Sequence, residues 1–477
     1  MTDLTKAAGP DSPAPQERRG IGDALRTWWD GLSRPGQWAV GVPFIILLAL
    51  LPLFPPPLVD TPAYNFGLVM AKVAMFCLIA IGLNVVVGQA GLLDLGYVGF
   101  YAVGAYTVGL LTSKNSPWNQ TDGGWLDPKW AWLACLPLAA LVTAFSGLIL
   151  GSPTLRLRGD YLAIVTLGFG EIVRLLADNL GEITNGSLGL SEVAYPRIGE
   201  SEAKPNGVFS AGNVGDPDSS NLLDRASYGT YWYWLGMALI IVMLLIVGNL
   251  ERSRVGRAWV AIREDEDVAE IMGVQTYKYK LWAFMIGAAV GGISGAIYAG
   301  QVQFVNPTRF DIVNSMLFLC AVVIGGQGNK LGVLAGAFII AYLPDRLASV
   351  RMVNDEATGY TLLILDVAAF IALALYWKWA QKNRDLGGWP KRLVVSGMVF
   401  TGVMGALLVG SVLLFRPGGA QSLGDLKYLY FGIALVVMMI LRPQGLFPVR
   451  QKLLTYGRQV YQAVRRPAQP ETVGAGR

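Results

Sequence analysis

Residues 82–111 read "GLNVVVGQAGLLDLGYVGFYAVGAYTVGLL": thirty residues carrying a single charge, Asp94. Crossing the hydrocarbon of a bilayer as a helix takes roughly 20 mostly apolar residues, because backbone polar groups there have no water and must pair within the segment. This stretch has the length and the polarity. Nine of its small residues, Gly88, Ala90, Gly91, Gly96, Gly99, Ala102, Gly104, Ala105 and Gly109, let helices approach closely, so most of them are expected to pack against neighbours. The cluster Gly88, Gln89, Ala90, Gly91 differs, since glycines around a polar residue between two apolar runs suggest a helix break. At membrane depth such a break is tolerated only inside protein or beside a cavity.

The rest of the chain has the same character. Of its 477 residues 53% are hydrophobic and 15% charged, against about 25% charged in an average soluble chain. Apolar segments near 37–54, 66–87, 91–112, 130–151, 161–177, 231–249, 281–300, 313–326, 331–344, 360–377, 393–415 and 428–441 predict an all-α, polytopic membrane helix bundle of about 10–12 spans. Cys77, Cys135 and Cys320 lie in apolar runs and behave as small hydrophobes, and there is no histidine. Imidazole chemistry is excluded, no disulfide, zinc cluster or other metal site is expected, and no cofactor is implied. The first 30 residues lack the apolar core of a cleaved signal peptide.

Lys and Arg set the orientation. Arg18, Arg19, Arg26 and Arg34, then Arg156 and Arg158, then Arg252, Arg254, Arg257, Arg263, Lys278 and Lys280, then Lys378 to Arg392 and the tail from Arg442 to Arg466 share one face when both termini are cytoplasmic. Residues 1–35 are read as a cytoplasmic extension, 36–449 as the transmembrane domain and 450–477 as a cytoplasmic tail. Residues 251–280 become a cytoplasmic loop. Residues 178–230 become a long extracytoplasmic loop, either a disordered insert or a small cap; a cap is expected, because a partner docking from outside needs surface.

A second glycine break, "VVIGGQGNKLGVLAG" at 322–336, sets Gly325, Gly326 and Gly328 around Gln327. Two breaks in separate halves are the pattern of two structural repeats about a shared pathway, and Gly88, Gln89, Gly91, Asp94, Gly325, Gly326, Gln327 and Gly328 are its candidate lining. The competing reading is that these glycines only pack helices. Ionisable residues within spans are Lys72, Asp94, Glu171, Arg174 and Asp366. Lys72 can snorkel to an interface, and Glu171 with Arg174 at i, i+3 can neutralise each other on one helix face, so structural roles are favoured over a proton relay.

In "REDEDVAEIMGV", residues 263–274, the acids Glu264, Asp265, Glu266 and Asp267 occupy a helix start, where the macrodipole favours negative charge. Val268, Ala269, Ile271 and Met272 make an apolar side, and Gly273 suits a left-handed cap. Such a helix either packs on its own domain or enters a partner's groove; its place between membrane spans favours the groove.

These segments resemble the permease subunits of ABC importers for branched-chain amino acids, of the LivM type. The likeness runs over about residues 65–345 and again at 427–448. It is carried by the stretch that begins at Gly82, by "LRLRGDYLAIVTLGFGEIVRLL", by "VGRAWVAIREDEDVAEIMGV" followed by "KLWAFMIGAAVGGISGAIYAG", and by "FGIALVVMMILRPQGLFP". It implies an ATP-driven import subunit for Leu, Ile, Val or a related solute in a bacterial inner membrane. It also implies a second permease of the LivH type, two ATPase subunits, an extracytoplasmic binding protein, lipid around the bundle, and no nucleic acid or covalent catalysis. The helix over Arg263–Gly273 would be the ATPase-coupling helix of pattern E-A-A-x-x-x-G, met here by Asp267, Val268, Ala269 and Gly273 with Glu and the first Ala replaced. The chain has no G-x-x-x-x-G-K-[ST] phosphate loop of its own. A urea or short-chain amide permease of the same superfamily and an ion-gradient-driven transporter remain the alternatives. Residues 350–426 carry apolar segments beyond the family's usual core, and neither they nor the termini inherit a role.

Overall fold

The computed structural model describes residues 34–56, 61, 64–118, 130–155, 160–200, 206–215, 222–349 and 432. Asp366, the expected spans at 360–377, 393–415 and 428–441, most of the N-terminal extension and the C-terminal tail lie outside the described residues.

The chain divides after Phe54. In the first unit, α1 (Arg34–Leu50) carries Phe44, Ile46 and Leu47 on its exposed surface. The second unit contains α2 (Phe66–Leu83), which runs on as a π-helical turn over Asn84–Gln89, then α3 (Tyr97–Thr112), α4 (Ala131–Thr154), α5 (Asp160–Asn179) and α6 (Tyr228–Arg252). Two short helices, α7 (Arg254–Glu264) and α8 (Glu266–Ile271), lead to α9 (Thr276–Val302), α10 (Ile312–Gly325) and α11 (Lys330–Ser349). Phe66–Gln89, Ala131–Thr154, Tyr228–Arg252, Thr276–Val302 and Pro307–Gly325 are long and apolar enough to cross a membrane. The first nine expected segments thus fall on helices, and the fold is that of a polytopic helical bundle. One boundary moved: the third segment is helical only from Tyr97, because residues 90–96 leave the helix.

Helix α9 is the hub, and small residues make it so. Gly104 of α3 faces the backbone of Gly292, Gly295 faces the Tyr101 carbonyl, and Gly147 of α4 faces Ala288. With no side chain between them, backbones meet directly and gain dispersion contacts that a larger residue would prevent. Tyr97 Oη donates to the Gly287 carbonyl at 2.7 Å, and Trp132 Nε1 to that of Ala296 at 3.0 Å, so the buried polar atoms of the two rings are paired.

Helices α2 and α6 run parallel, since Gly67 meets Thr230 at one end and Gln89 reaches Glu251 at the other. Helix α9 runs back against both and ends beside a two-stranded antiparallel pair, β1 (Leu190–Ser191) with β2 (Phe304–Val305), Leu190 opposite Val305. The described part of the 178–230 loop is pinned at that end. Thr112 Oγ1 accepts from Ala194 N at 3.2 Å, and Trp232 Nε1 donates to the Phe209 carbonyl at 3.3 Å. The opposite end carries α7, α8 and the basic residues at 252–280.

Three of the five intramembrane charges are accounted for by pairing. Glu171 and Arg174 form the expected i, i+3 pair, with Arg174 Nε donating to the carboxylate at 3.0 Å. Lys72 Nζ lies 2.9 Å from Asp345 of α11. Asp345 sits just past the end of the segment expected at 331–344, and a partner 273 residues away leaves no local pattern.

Candidate functional site

The end opposite the strand pair gathers most of the polar residues that the sequence singled out. Ser253 opens α7 by accepting from Val255 N, and the helix buries Ala258, Trp259 and Ile262 on its own protein, with Trp259 Nε1 donating to the Tyr279 carbonyl at 2.8 Å. At Asp265 the backbone is extended (φ −159°, ψ 111°), which ends α7, and its carboxylate caps α8 by accepting from Val268 N at 3.1 Å. The acids are therefore divided: Glu264 closes α7, Asp265 is the cap, and Glu266 and Asp267 form the first turn of α8. Glu266 pairs with Lys280 of α9, whose side chain is almost wholly buried, and this fixes α8 to the bundle. Gly273 takes φ +85°, with Gly273 N bonded to Glu270 O at 2.9 Å and Val274 N to Ala269 O at 3.0 Å, the left-handed cap that its position suggests.

The apolar side of α8 splits in two. Val268, Ile271 and Met272 are 53%, 83% and 78% exposed, whereas Ala269 is buried against the protein itself. Ala269 is thus part of the seat of α8 and not of its outward face, because a six-residue helix laid on a bundle turns one of every three or four side chains inward.

The two glycine breaks come together beside this helix pair. Asn84 Oδ1 accepts from Gly328 N at 2.8 Å, and a Cβ on Gly88 would run into both groups. Gly91, Gly326 and Gly328 have φ of +72°, +110° and +81°, where side chains are strained, and Gly325 packs on the Gly332 carbonyl of α11. Gln89 Nε2 donates to Glu251 at 2.6 Å, and Glu251 pairs with Lys330 at 2.7 Å. Arg263 of α7 donates to the Gly88 carbonyl. Gln327 lies half-buried in the turn between the two helices.

Asp94 sits deeper, at 1% exposure. Its Oδ1 accepts from Gly96 N at 2.9 Å while Oδ2 has no partner among the described residues. Around it the non-helical backbone is satisfied by side chains: Leu95 N donates to Thr166 Oγ1 at 3.1 Å, and Ser315 donates to the Leu95 carbonyl. Glu171 and Arg174 stand apart on α5. Sequence reading missed Asn84, Glu251 and Lys330, which act only through partners between 79 and 244 residues away; Asn84, a lone amide in "GLNVVV", was the available signal. Among the described residues no group of three or more potential metal ligands exists.

Comparisons with known proteins agree with this architecture. The family described as "Branched-chain amino acid transport system / permease component" matches residues 65–374. The chain is 38% identical over 308 residues to the high-affinity branched-chain amino acid transport system permease protein LivM of Salmonella typhimurium, and 37% identical over 308 residues to LivM of Escherichia coli. Each match covers 64% of this chain and 66% of the relative, so the likeness spans just under two thirds of those relatives' length. To the LivH permease of Escherichia coli it is 24% identical over 292 residues, 61% of this chain and 87% of that one. No solved structure matches. With the family match running from the start of α2 through α11, the chain belongs to the branched-chain amino acid transport permease family.

Proposed function

We propose that this chain is a permease subunit of an ATP-driven importer for branched-chain amino acids or closely related solutes, with α8 as its docking element for a separate ATPase subunit. The observation that carries the reading is the outward face of α8: three large apolar side chains, more than half exposed, on an element whose other face is fixed by Ala269 and Lys280. Exposed apolar residues on a rigid short helix suit a partner's groove. The permease itself performs no covalent chemistry. A LivH-type permease would complete the pathway, two ATPases would power it, and an extracytoplasmic binding protein would deliver solute to the end that holds the strand pair and the 178–230 loop. In the bacterial inner membrane both termini would be cytoplasmic. Residues 88–94 and 325–328 would close the cytoplasmic end of the pathway, since they meet at that end of the bundle.

The test is uptake of radiolabelled leucine by the reconstituted complex with ion gradients collapsed by ionophores. Uptake should persist with ATP and vanish when the ATPase subunits are omitted. Uptake that tracks an ion gradient and ignores ATP would replace this reading with secondary transport. Orientation is checked separately in a variant lacking Cys77, Cys135 and Cys320. A cysteine at Val214, 74% exposed near the strand-pair end, should react with an impermeant thiol reagent in spheroplasts, and one at Glu264 should not. The opposite labelling pattern would invert the topology.

A further inference from the structure

Arg263 belongs to the segment that would meet the ATPase, yet its side chain turns inward, to the break in α2. A helix ends there with carbonyls that have lost their intrahelical donors. In a continuous α-helix the Gly88 carbonyl would receive Leu92 N. Here the turn is π-helical, Ala90 N reaches back to Val85 O at 3.2 Å and Leu92 N to Val86 O at 3.1 Å. The Gly88 carbonyl is passed over, and Arg263 supplies its donor. The guanidinium places a positive charge at the negative end of α2, and its stem lies so close to Gly91 that a Cβ there would come within 3.0 Å of Arg263 Cγ. The next residue, Gln89, is held by Glu251, and Glu251 by Lys330 at the start of α11.

We propose that Arg263 is the positioning residue through which movement of α7 and α8 reaches the membrane bundle: it holds the π turn at Asn84–Gln89, and when α7 shifts, the Gly88 carbonyl is released and the turn re-pairs. The element is suited to two arrangements. A π turn holds one residue more than an α turn, so the carbonyls from Asn84 onward can exchange i+5 for i+4 partners without unfolding the helix. Gly91, at φ +72°, leaves the backbone after the turn free to follow. Glu251 and Lys330 keep the neighbouring ends of α6 and α11 in register with the same turn, so a change there is felt by three helices.

This rests on the reading of the chain as an ATP-driven permease. The experiment uses the complete importer in proteoliposomes with its binding protein, and measures solute taken up per ATP hydrolysed. Arg263→Ala should lower that ratio about tenfold or more, within the span of ordinary coupling free energies, while ATPase subunits stay bound at wild-type stoichiometry and ATP hydrolysis continues. Arg263→Lys keeps the charge but not the planar fork, and should fall between, about threefold down. An unchanged ratio in Arg263→Ala overturns the proposal, and so does loss of ATPase binding, which would make Arg263 a docking residue. Should the alanine variant not fold, Arg263→Lys decides alone, an unchanged ratio again overturning it. If the wild-type complex transports without ATP, the functional reading fails instead, and the two failures are distinguishable.

Discussion

Ile271→Glu combined with Met272→Glu is expected to reduce ATP-driven uptake to background while leaving the amount and melting temperature of the permease unchanged. Both side chains are largely solvated, at 83% and 78% exposure, so the fold loses nothing when they become polar. In a docked complex the same side chains would be the apolar anchors. Truncating such an anchor typically costs 2 kcal/mol or more, and placing a carboxylate in its pocket adds the desolvation of a charge. Two such changes beside Asp267 and Glu270, both exposed acids, should weaken docking by about 3 kcal/mol or more, over a hundredfold in affinity. The check is twofold: co-purification of the ATPase subunits and initial uptake rate. Full uptake with ATPases still bound would remove α8 from the interface. Ala269→Glu is the wrong probe for the same question, since Ala269 is buried and a charge there unseats α8 directly.

Gly104→Leu should act in the opposite manner, destroying the fold and not the docking. A first side-chain carbon at Gly104 would already overlap the carbonyl and Cα of Gly292, both in helix backbone that cannot swing aside, and Gly292 is pressed from its other side by Thr143. Overpacking in a rigid core costs about 1–3 kcal/mol and more where backbone is the obstacle. Here two helices would have to separate. The expected result is a fall of several degrees or more in the melting temperature of detergent-purified protein, or no accumulation at all. Gly168→Leu on α5 is the matched control, with nothing within 4 Å of its added Cβ, and it should melt like the parent. Equal melting of the two variants would mean that the α3–α9 contact contributes little.

What was legible in the sequence was what depends on near neighbours. The spans of α2, α4, α6 and α9 follow from runs of apolar residues, the left-handed cap at Gly273 from a glycine after a short periodic helix, and the Glu171–Arg174 pair from a spacing of three. The glycine breaks were visible as breaks. Their meeting was not, because nothing in "VVGQAG" announces that Asn84 will receive a hydrogen bond from Gly328. The inward turn of Ala269 and Arg263 was hidden for a related reason: hydropathy tells that a face is apolar, and only the tertiary seat of the helix tells which residues of that face are used up at home. Asp265 also misled, since a run of four acids reads as one helix start while the third dimension puts a kink in it.

Helix α3 carries a consequence for how the chain is made. Its 16 residues rise only about 24 Å, short of the roughly 30 Å hydrocarbon, and the backbone just before it is irregular. The groups that satisfy that backbone, Thr166 and Ser315, follow Leu95 by 71 and 220 residues. At about 5–20 residues per second, Ser315 leaves the ribosome roughly 10 to 45 seconds after Leu95. During that interval the segment is poorly suited to lipid and has no finished protein to enter. Slower translation between residues 95 and 315 would lengthen that interval, and the expected result is a lower yield of folded protein, checked by pulse-chase measurement of its accumulation.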